Sequence, residues 1–173
     1  MKLINNSFQK YKDIFQKNGL DFILLDKGEN EKGRLVAFFN KLNSEFLFPM
    51  EQQEALKVHV IKLLDYAYNF ILVDKENNCD VSLLSIYAND FITKTAFGGK
   101  IGILPSYRGG RTAFHLANFS LEFAKELGMD YFRVEVDKNN TRWLAYLMER
   151  KKFQIESEND NNSYILIRDL EEV

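Results

Sequence analysis

Cysteine is almost absent from this chain. The single Cys79 has no partner for an internal disulfide, and in the polar stretch Glu76-Asn-Asn-Cys-Asp80 it reads as a surface or half-buried thiol without chemistry. Proline occurs twice and glycine nine times in 173 residues, with no long Pro, Gly or Ser tract and no internal repeat. Nothing therefore marks a linker, and one domain over residues 1–173 is expected, large enough to bury a core without staples. No apolar run is long enough to cross a bilayer, and no signal-like segment opens the sequence, so a soluble, cytoplasmic protein without a membrane partner is expected. Basic charge is not in excess either: 23 Lys and Arg face 25 Asp and Glu, interspersed, which leaves no nucleic-acid footprint. The two histidines, His59 and His115, lie in helical stretches with no partner motif and read as packing or surface residues; no metal site is expected.

What the chain has is apolar residues, 46% of the total, with 15 phenylalanines among them. Their spacing predicts the elements. Phe8, Tyr11, Ile14 and Phe15 share one face of a first helix, capped by Ser7 and stopped at Asn18-Gly19, which reads as an N-terminal addition. A strand is predicted over 21–26, a polar loop over 27–33, a helix over 34–46 that Pro49 closes off, and a second helix over 51–66. Strands over 69–74 and 80–88 flank the turn Lys75-Glu-Asn-Asn78 as an antiparallel hairpin, and a long strand follows over 91–104. The strongest helical pattern covers 112–127, with Gly128 at its C-terminal cap position. A strand over 131–136, a helix over 140–150 and a hairpin over 153–169 complete the chain. A strand, a crossover helix and a strand of these lengths form a right-handed parallel unit, so both strand ends meet at one edge of the sheet.

Chemistry concentrates where that unit turns. In Lys100-Ile-Gly-Ile-Leu-Pro-Ser-Tyr-Arg-Gly-Gly-Arg-Thr-Ala, a strand ends at proline and a basic, glycine-bearing turn restarts as a helix. The first N–H groups of a helix have no intrahelical partner, and the macrodipole favours negative charge there. Arg108 and Arg111 add formal charge, Gly109 and Gly110 allow close approach, and from Gly98 to Arg111 there is no acid. The turn reads either as a diphosphate cradle or as plain strand-to-helix connection chemistry.

The segment resembles the acetyl-CoA-binding motif of the GNAT superfamily of N-acetyltransferases, in which Val or Ile stands two positions before Pro and Arg/Gln-x-x-Gly-x-Gly/Ala follows. Ile103, Pro105, Arg108 and Ala113 are in register, whereas Arg111 stands where the family has glycine. The order of elements agrees with the family over most of the chain. The resemblance implies an α/β (α+β) fold, a mixed central sheet flanked by helices with one extra N-terminal helix, and acetyl-CoA as co-substrate. It implies that the pantetheine arm enters a gap between the two parallel strands beside Ile103 and Leu104. The amides of Arg108, Gly109, Gly110, Arg111, Thr112 and Ala113 are then expected to hold the diphosphate, with Asn139 also on the cofactor side.

The resemblance also suggests who moves protons. The acceptor amine must lose one, and Glu135 and Asp137, on the face of their strand opposite Val134 and Val136, are candidate bases beside the plain reading of solvated carboxylates. Glu45, Glu51 and Asp90 lie in segments that line the acceptor pocket in relatives and rank below them. The family pattern Asn-x-x-Ala-x-x-x-Tyr-x-x-x-Gly-Phe, started at Asn140, puts Trp143 at the Ala and Leu147 at the Tyr; counted back from Phe153 it puts Met148 there. Neither register lands on Tyr146, which remains the candidate acid, with Asn140 in the site. Lys152 replaces the pattern's glycine, a position that favours φ > 0.

The expected function is acetyl transfer to the primary amine of a small molecule. The segment Phe46-Leu-Phe-Pro-Met-Glu51 and the turn Tyr87-Ala-Asn-Asp90 resemble members that act on small molecules such as amino sugars. A homodimer is compatible with this reading. The rival is a degenerate member that binds CoA or a protein partner without turnover, as Arg111 and the displaced tyrosine suggest. A nucleotide-binding module lacks its Walker-type Lys-Ser/Thr or full dinucleotide fingerprint here.

Overall fold

The computed structural model describes residues 6–46, 49–50 and 52–171. Its chain order is α1 (Asn6–Gln16), β1 (Leu20–Leu24), α2 (Glu29–Leu42), a 3-10 turn (Asn43–Glu45), α3 (Gln53–Tyr66), β2 (Tyr68–Asp74), β3 (Cys79–Asp90) and β4 (Thr95–Ile103). A second 3-10 turn (Pro105–Tyr107) leads into α4 (Thr112–Glu126), β5 (Tyr131–Asp137), α5 (Thr141–Ala145), a π-helical turn (Tyr146–Arg150), β6 (Gln154–Asn159) and β7 (Ser163–Asp169). The strands form one seven-stranded sheet in the order β1-β2-β3-β4-β5-β7-β6. Every neighbouring pair is antiparallel except β4 and β5, the parallel pair that α4 connects.

Alternation along the strands sends apolar side chains to both faces, and helices cover each. On one face Phe22, Phe70, Leu84, Phe132 and Leu166 meet residues of α1 and α4 such as Phe15, Phe119 and Phe123. The phenylalanines pack edge to face there, with centroids 4.7 Å apart for Phe70 and Phe119 and 4.9 Å for Phe22 and Phe119. On the other face Ile71 and Leu83 meet Leu35, Phe38 and Phe39 of α2 and Leu56, Val60 and Leu63 of α3.

Several boundaries differ from the pattern-based expectations. Ser7 lies inside the first turn of α1 rather than at its cap; its N–H and hydroxyl donate to the Glu126 carboxylate at 2.9 and 2.7 Å, tying α1 to the end of α4. The polar stretch expected as a loop over 27–33 is helical from Glu29 onward, and that helix ends at Leu42. The strand expected from residue 91 starts at Thr95, because Asp90 accepts hydrogen bonds from the amides of Ile92 and Thr93 and the hydroxyl of Thr93 and closes a turn there. The segment Tyr87-Ala-Asn-Asp90, expected as a turn, is the end of β3. The helix expected as one piece over 140–150 is α5 followed by the π-helical turn.

Candidate functional site

The parallel pair separates. β4 and β5 pair only from Thr95 with Tyr131 to Gly98 with Val134, although β4 continues to Ile103 and β5 to Asp137. On its other edge β4 slips register against β3, since Ser85 opposes Lys100 and Ile86 opposes Gly98, leaving Gly99 as the extra residue of a bulge. A Cβ on Gly99 would stand 2.8 Å from the Tyr87 ring, so a side chain there would force that ring to shift. The gap opens into a cleft of about 730 Å³ that passes from α4 and α5 (Ser120, Trp143) to the opposite side (Phe46, Lys100), between Ile101 of β4 and Glu135 of β5.

At the end of β4 the Leu104 N–H donates to the Val81 carbonyl at 2.9 Å. Antiparallel strands alternate bonded and non-bonded positions, so the main-chain groups of the preceding Ile103 turn the other way, into the gap. Of the two residues expected to present main-chain groups there, Ile103 does so and Leu104 has its amide engaged. The 3-10 turn then closes with Tyr107 N–H on Leu104 O and Arg108 N–H on Pro105 O, at 2.9 and 3.2 Å. Gly109 takes φ +90°, a conformation that costs a side-chain-bearing residue. The first bond of α4 runs from His115 N–H to Arg111 O at 2.9 Å, and Arg111 supplies no side-chain cap. The amides of Thr112, Ala113 and Phe114 therefore lack intrahelical acceptors.

Two contacts of this turn were not visible in the local sequence. The Arg108 guanidinium donates to Ile103 O at 2.8 Å and pairs with Glu45 at 2.5 Å, so an acid does reach the turn, from the far end of α2. Tyr107 donates its hydroxyl to Asp74 at 2.6 Å, with the Cys79 sulfur 3.9 Å away, which fastens the turn to the β2–β3 hairpin. Hydrogen bonds from Tyr107 and then Asn77 hold Asp74 down to about 2, and the same contact pushes Tyr107 up to about 12.

Glu135 lines the cleft from β5, and its Oε1 accepts from Ser163 at 2.5 Å, Asn159 at 3.0 Å and Asn161 at 3.1 Å. Burial alone would raise its carboxyl, but those donors and the Lys100 ammonium outweigh it and hold Glu135 below the ordinary carboxylate value. Asp137 also lines the cleft and accepts from the Asn139 amide at 2.8 Å. Asn139 and Asn140 border the cleft, and Asn140 is the residue before α5, where its carbonyl accepts from Leu144 N–H at 3.0 Å.

Tyr146 is not brought to the cleft wall. Its ring lies against Trp143 at 5.1 Å and Phe114 at 4.5 Å, and burial raises its hydroxyl. Leu147 is the residue of that turn that lines the cleft. The π-helical turn, closed by Lys151 N–H on Tyr146 O at 3.2 Å, takes up the extra residue by which the family spacing from Asn140 falls short of Phe153. Lys152 follows with φ +57°.

The other candidates lie elsewhere. Asp90 closes the turn at the opposite end of β4, and Glu51 lies outside the described residues. His115 packs against Tyr11 and Phe15, and His59 against Phe39. Among the described residues no cluster of His, Cys, Asp and Glu could hold a metal ion, and no helix is long and apolar enough to cross a membrane.

The sheet is thus mixed and parted between its two parallel strands, with a helix start whose first amides lack intrahelical acceptors at the end of one. The sequence profile of the Acetyltransferase (GNAT) family matches residues 35–153, and the chain belongs to that family, whose members transfer acetyl groups from acetyl-CoA. Solved structures share the fold at low identity. A ribosomal-protein-S5-alanine acetyltransferase from Vibrio fischeri is 14% identical with a TM-score of 0.68, the alignment covering 87% of this chain and 93% of that one. The spermidine N-acetyltransferase from Vibrio cholerae is 18% identical with a TM-score of 0.65, covering 90% and 96%. A GNAT acetyltransferase from Streptococcus pneumoniae is 16% identical with a TM-score of 0.64, covering 86% and 98%. No curated protein matches the sequence.

The residues present fit acetyl-CoA by two observations: the unpartnered amides at the start of α4 suit a diphosphate, and the gap beside Ile103 suits an extended amide-bearing arm.

Proposed function

We propose that this protein is an acetyl-CoA-dependent N-acetyltransferase acting on the primary amine of a small molecule. The reading rests above all on the cleft between β4 and β5, lined by Glu135, a carboxylate held below its ordinary value, together with the amide-bearing turn and helix start that follow the end of β4. Amides of Gly109 to Ala113, with Arg108 and Arg111, hold the diphosphate, and Asn139 lines the cleft between the parted strands. Bound acetyl-CoA supplies an acetyl thioester to the attacking amine. Ile103 N–H, turned into the gap, is placed to donate to a carbonyl oxygen as that oxygen gains charge.

Glu135 receives the acceptor as an ammonium. Transfer of its proton to a carboxylate held below the ordinary value is steeply uphill from an amine near pKa ~10.4. Glu135 therefore orients the ammonium, and the proton leaves through water to solvent. Asn140 holds the start of α5 against the cleft. Tyr146, behind Trp143, is a supporting ring rather than the proton donor in this reading. An amino sugar is one acceptor that suits the mixed polar and aromatic wall.

One observation favours a second reading, CoA binding without turnover: Leu147, which has no proton to give, faces the cleft where the family pattern has tyrosine. Calorimetry with acetyl-CoA, followed by CoA thiol release over a panel of amines, separates the two. Binding with amine-dependent release supports the enzyme, binding without release for any amine supports the second reading, and no binding removes both.

A further inference from the structure

Acetyl transfer as outlined leaves one charge of the cleft without a task. Lys100 lines the cleft from β4, opposite Ser85, and faces α2 and α3. Its ammonium lies 5.1 Å from the centroid of the Phe46 ring, and among the described residues it makes no ion pair or hydrogen bond. A cation–π contact is worth about 0.5–2 kcal/mol, less than the several kcal/mol that withdrawing an ammonium from water costs. Burial accordingly lowers the pKa of Lys100, and the charge of Glu135 only partly opposes that. His59, which packs on this side with Nε2 buried and unpartnered, is itself lowered by burial and then by the Lys100 and Lys62 charges, so it supplies no counter-charge.

Of the other charges of the cleft wall, Glu45 is paired with Arg108 and Asp137 accepts from the Asn139 amide. Lys151 has, like Lys100, a ring beneath it, that of Tyr146, but it follows the π-helical turn and lies on neither parted strand. Glu135 differs from these: among the described residues its donors meet Oε1, and Oε2 is left for a ligand. Among the described residues the two parted strands thus carry, apart from Asp137, one charge each that no ion pair neutralises, positive on β4 and negative on β5.

We propose that Lys100 binds a carboxylate of the acceptor while Glu135 receives its ammonium, so that the acceptor is an amino acid in the broad sense, a primary amine that carries a carboxylate. The inference rests on the acetyltransferase reading and narrows its substrate class. A polyamine would set a second cation against Lys100, and a neutral amino sugar would leave that cation desolvated and unpaired. A phosphate, with about twice the charge, would overbalance a single lysine beside Glu135 and Asp137.

CoA thiol release is measured with amino acids of varied side chain, glucosamine, glucosamine 6-phosphate and spermidine, on the wild type, Lys100→Met and Lys100→Arg. The expected result is the highest kcat/KM for an amino acid, a rise in its KM of about tenfold or more in Lys100→Met with kcat changed far less, and partial rescue by Lys100→Arg. A best acceptor among glucosamine, its phosphate or spermidine overturns the inference while leaving acetyl transfer intact. So does a Lys100→Met loss that is equal for all acceptors. If no amine is acetylated, the catalytic reading fails by itself. The inference is then decided by calorimetry of the amino acids on CoA-saturated protein: binding that falls about tenfold in Lys100→Met sustains the site, and absence of binding overturns it.

Discussion

Arg108 shows how a residue can be legible in sequence while its environment is not. Its place after Pro105 makes it a candidate phosphate ligand through the resemblance to the family motif, yet its guanidinium is held by Glu45, which arrives from a turn after α2 that no local pattern connects to it. In the proposed reading a diphosphate would compete with the Glu45 carboxylate for the same donors. Arg108→Ala is expected to weaken acetyl-CoA binding by about 1.5–3 kcal/mol, the range for a hydrogen bond to a charged group. Glu45→Gln is expected to strengthen it by a few tenths to about 1 kcal/mol, because the exposed pair it removes is itself weak. Calorimetry reads both signs, and weaker binding in Glu45→Gln would show that Glu45 aims the arginine rather than restrains it. Tyr146 was the harder residue to place, since a helix of uniform pitch offers no register that puts it at the cleft. The structure lodges its ring between Phe114 and Trp143. Tyr146→Phe is expected to keep kcat within about twofold, whereas a loss of 10²-fold, the usual cost of removing a general acid, would restore it to the chemistry.

At the scale of elements, the strands and α4 follow from apolar spacing, and the departures arise where one contact overrides it. Asp90 shortens β4 by closing a turn, and the π-helical turn absorbs a residue that periodicity cannot see. After that turn Lys152 sits at φ +57°, where a Cβ costs roughly 1–2 kcal/mol. Lys152→Gly is expected to raise the melting temperature slightly, the relief being offset in part by the greater freedom of glycine in the unfolded chain; a lower one would mean that the lysine side chain contributes more than the strain costs. The Tyr107–Asp74 contact links the cofactor turn to the β2–β3 hairpin and carries a pH signature. Asp74, depressed to about 2, contributes stability that is present above its unfolded value near ~3.9 and is lost as pH falls through the folded value. Tyr107, raised to about 12, contributes stability that is present below ~10 and is lost as pH rises through its folded value. The melting temperature of the wild type should exceed that of Tyr107→Phe by a constant margin between about pH 5 and pH 9. That margin should shrink toward either extreme, and one that did not change with pH would detach the contact from stability.

For the molecule as a whole, a hairpin, a crossover unit and a terminal hairpin were visible in sequence, whereas the place of β7 between β5 and β6 was not, and the gap between the parallel strands was expected only through the family resemblance. The cleft lies where β4 and β5 stop pairing after Gly98 and Val134, next to the bulge that Gly99 makes against β3. Its walls come from both faces, Ser120 and Trp143 on one and Phe46 and Lys100 on the other, which explains why Phe46 and Lys100 were not read as neighbours. A ligand that fills such a gap ties together elements that otherwise touch only at one end, so binding should appear as global stability. Acetyl-CoA at about a hundred times its dissociation constant stabilises the folded state by ~2.7 kcal/mol. For a chain of this length that raises the melting temperature by roughly 5–10 °C. The shift should be smaller in Arg108→Ala at the same ligand concentration and unchanged in Lys100→Met, because the first contacts the diphosphate end and the second the acceptor side. A melting temperature that stayed constant with saturating acetyl-CoA would leave the parted strands without their ligand and remove the basis of the proposed reaction.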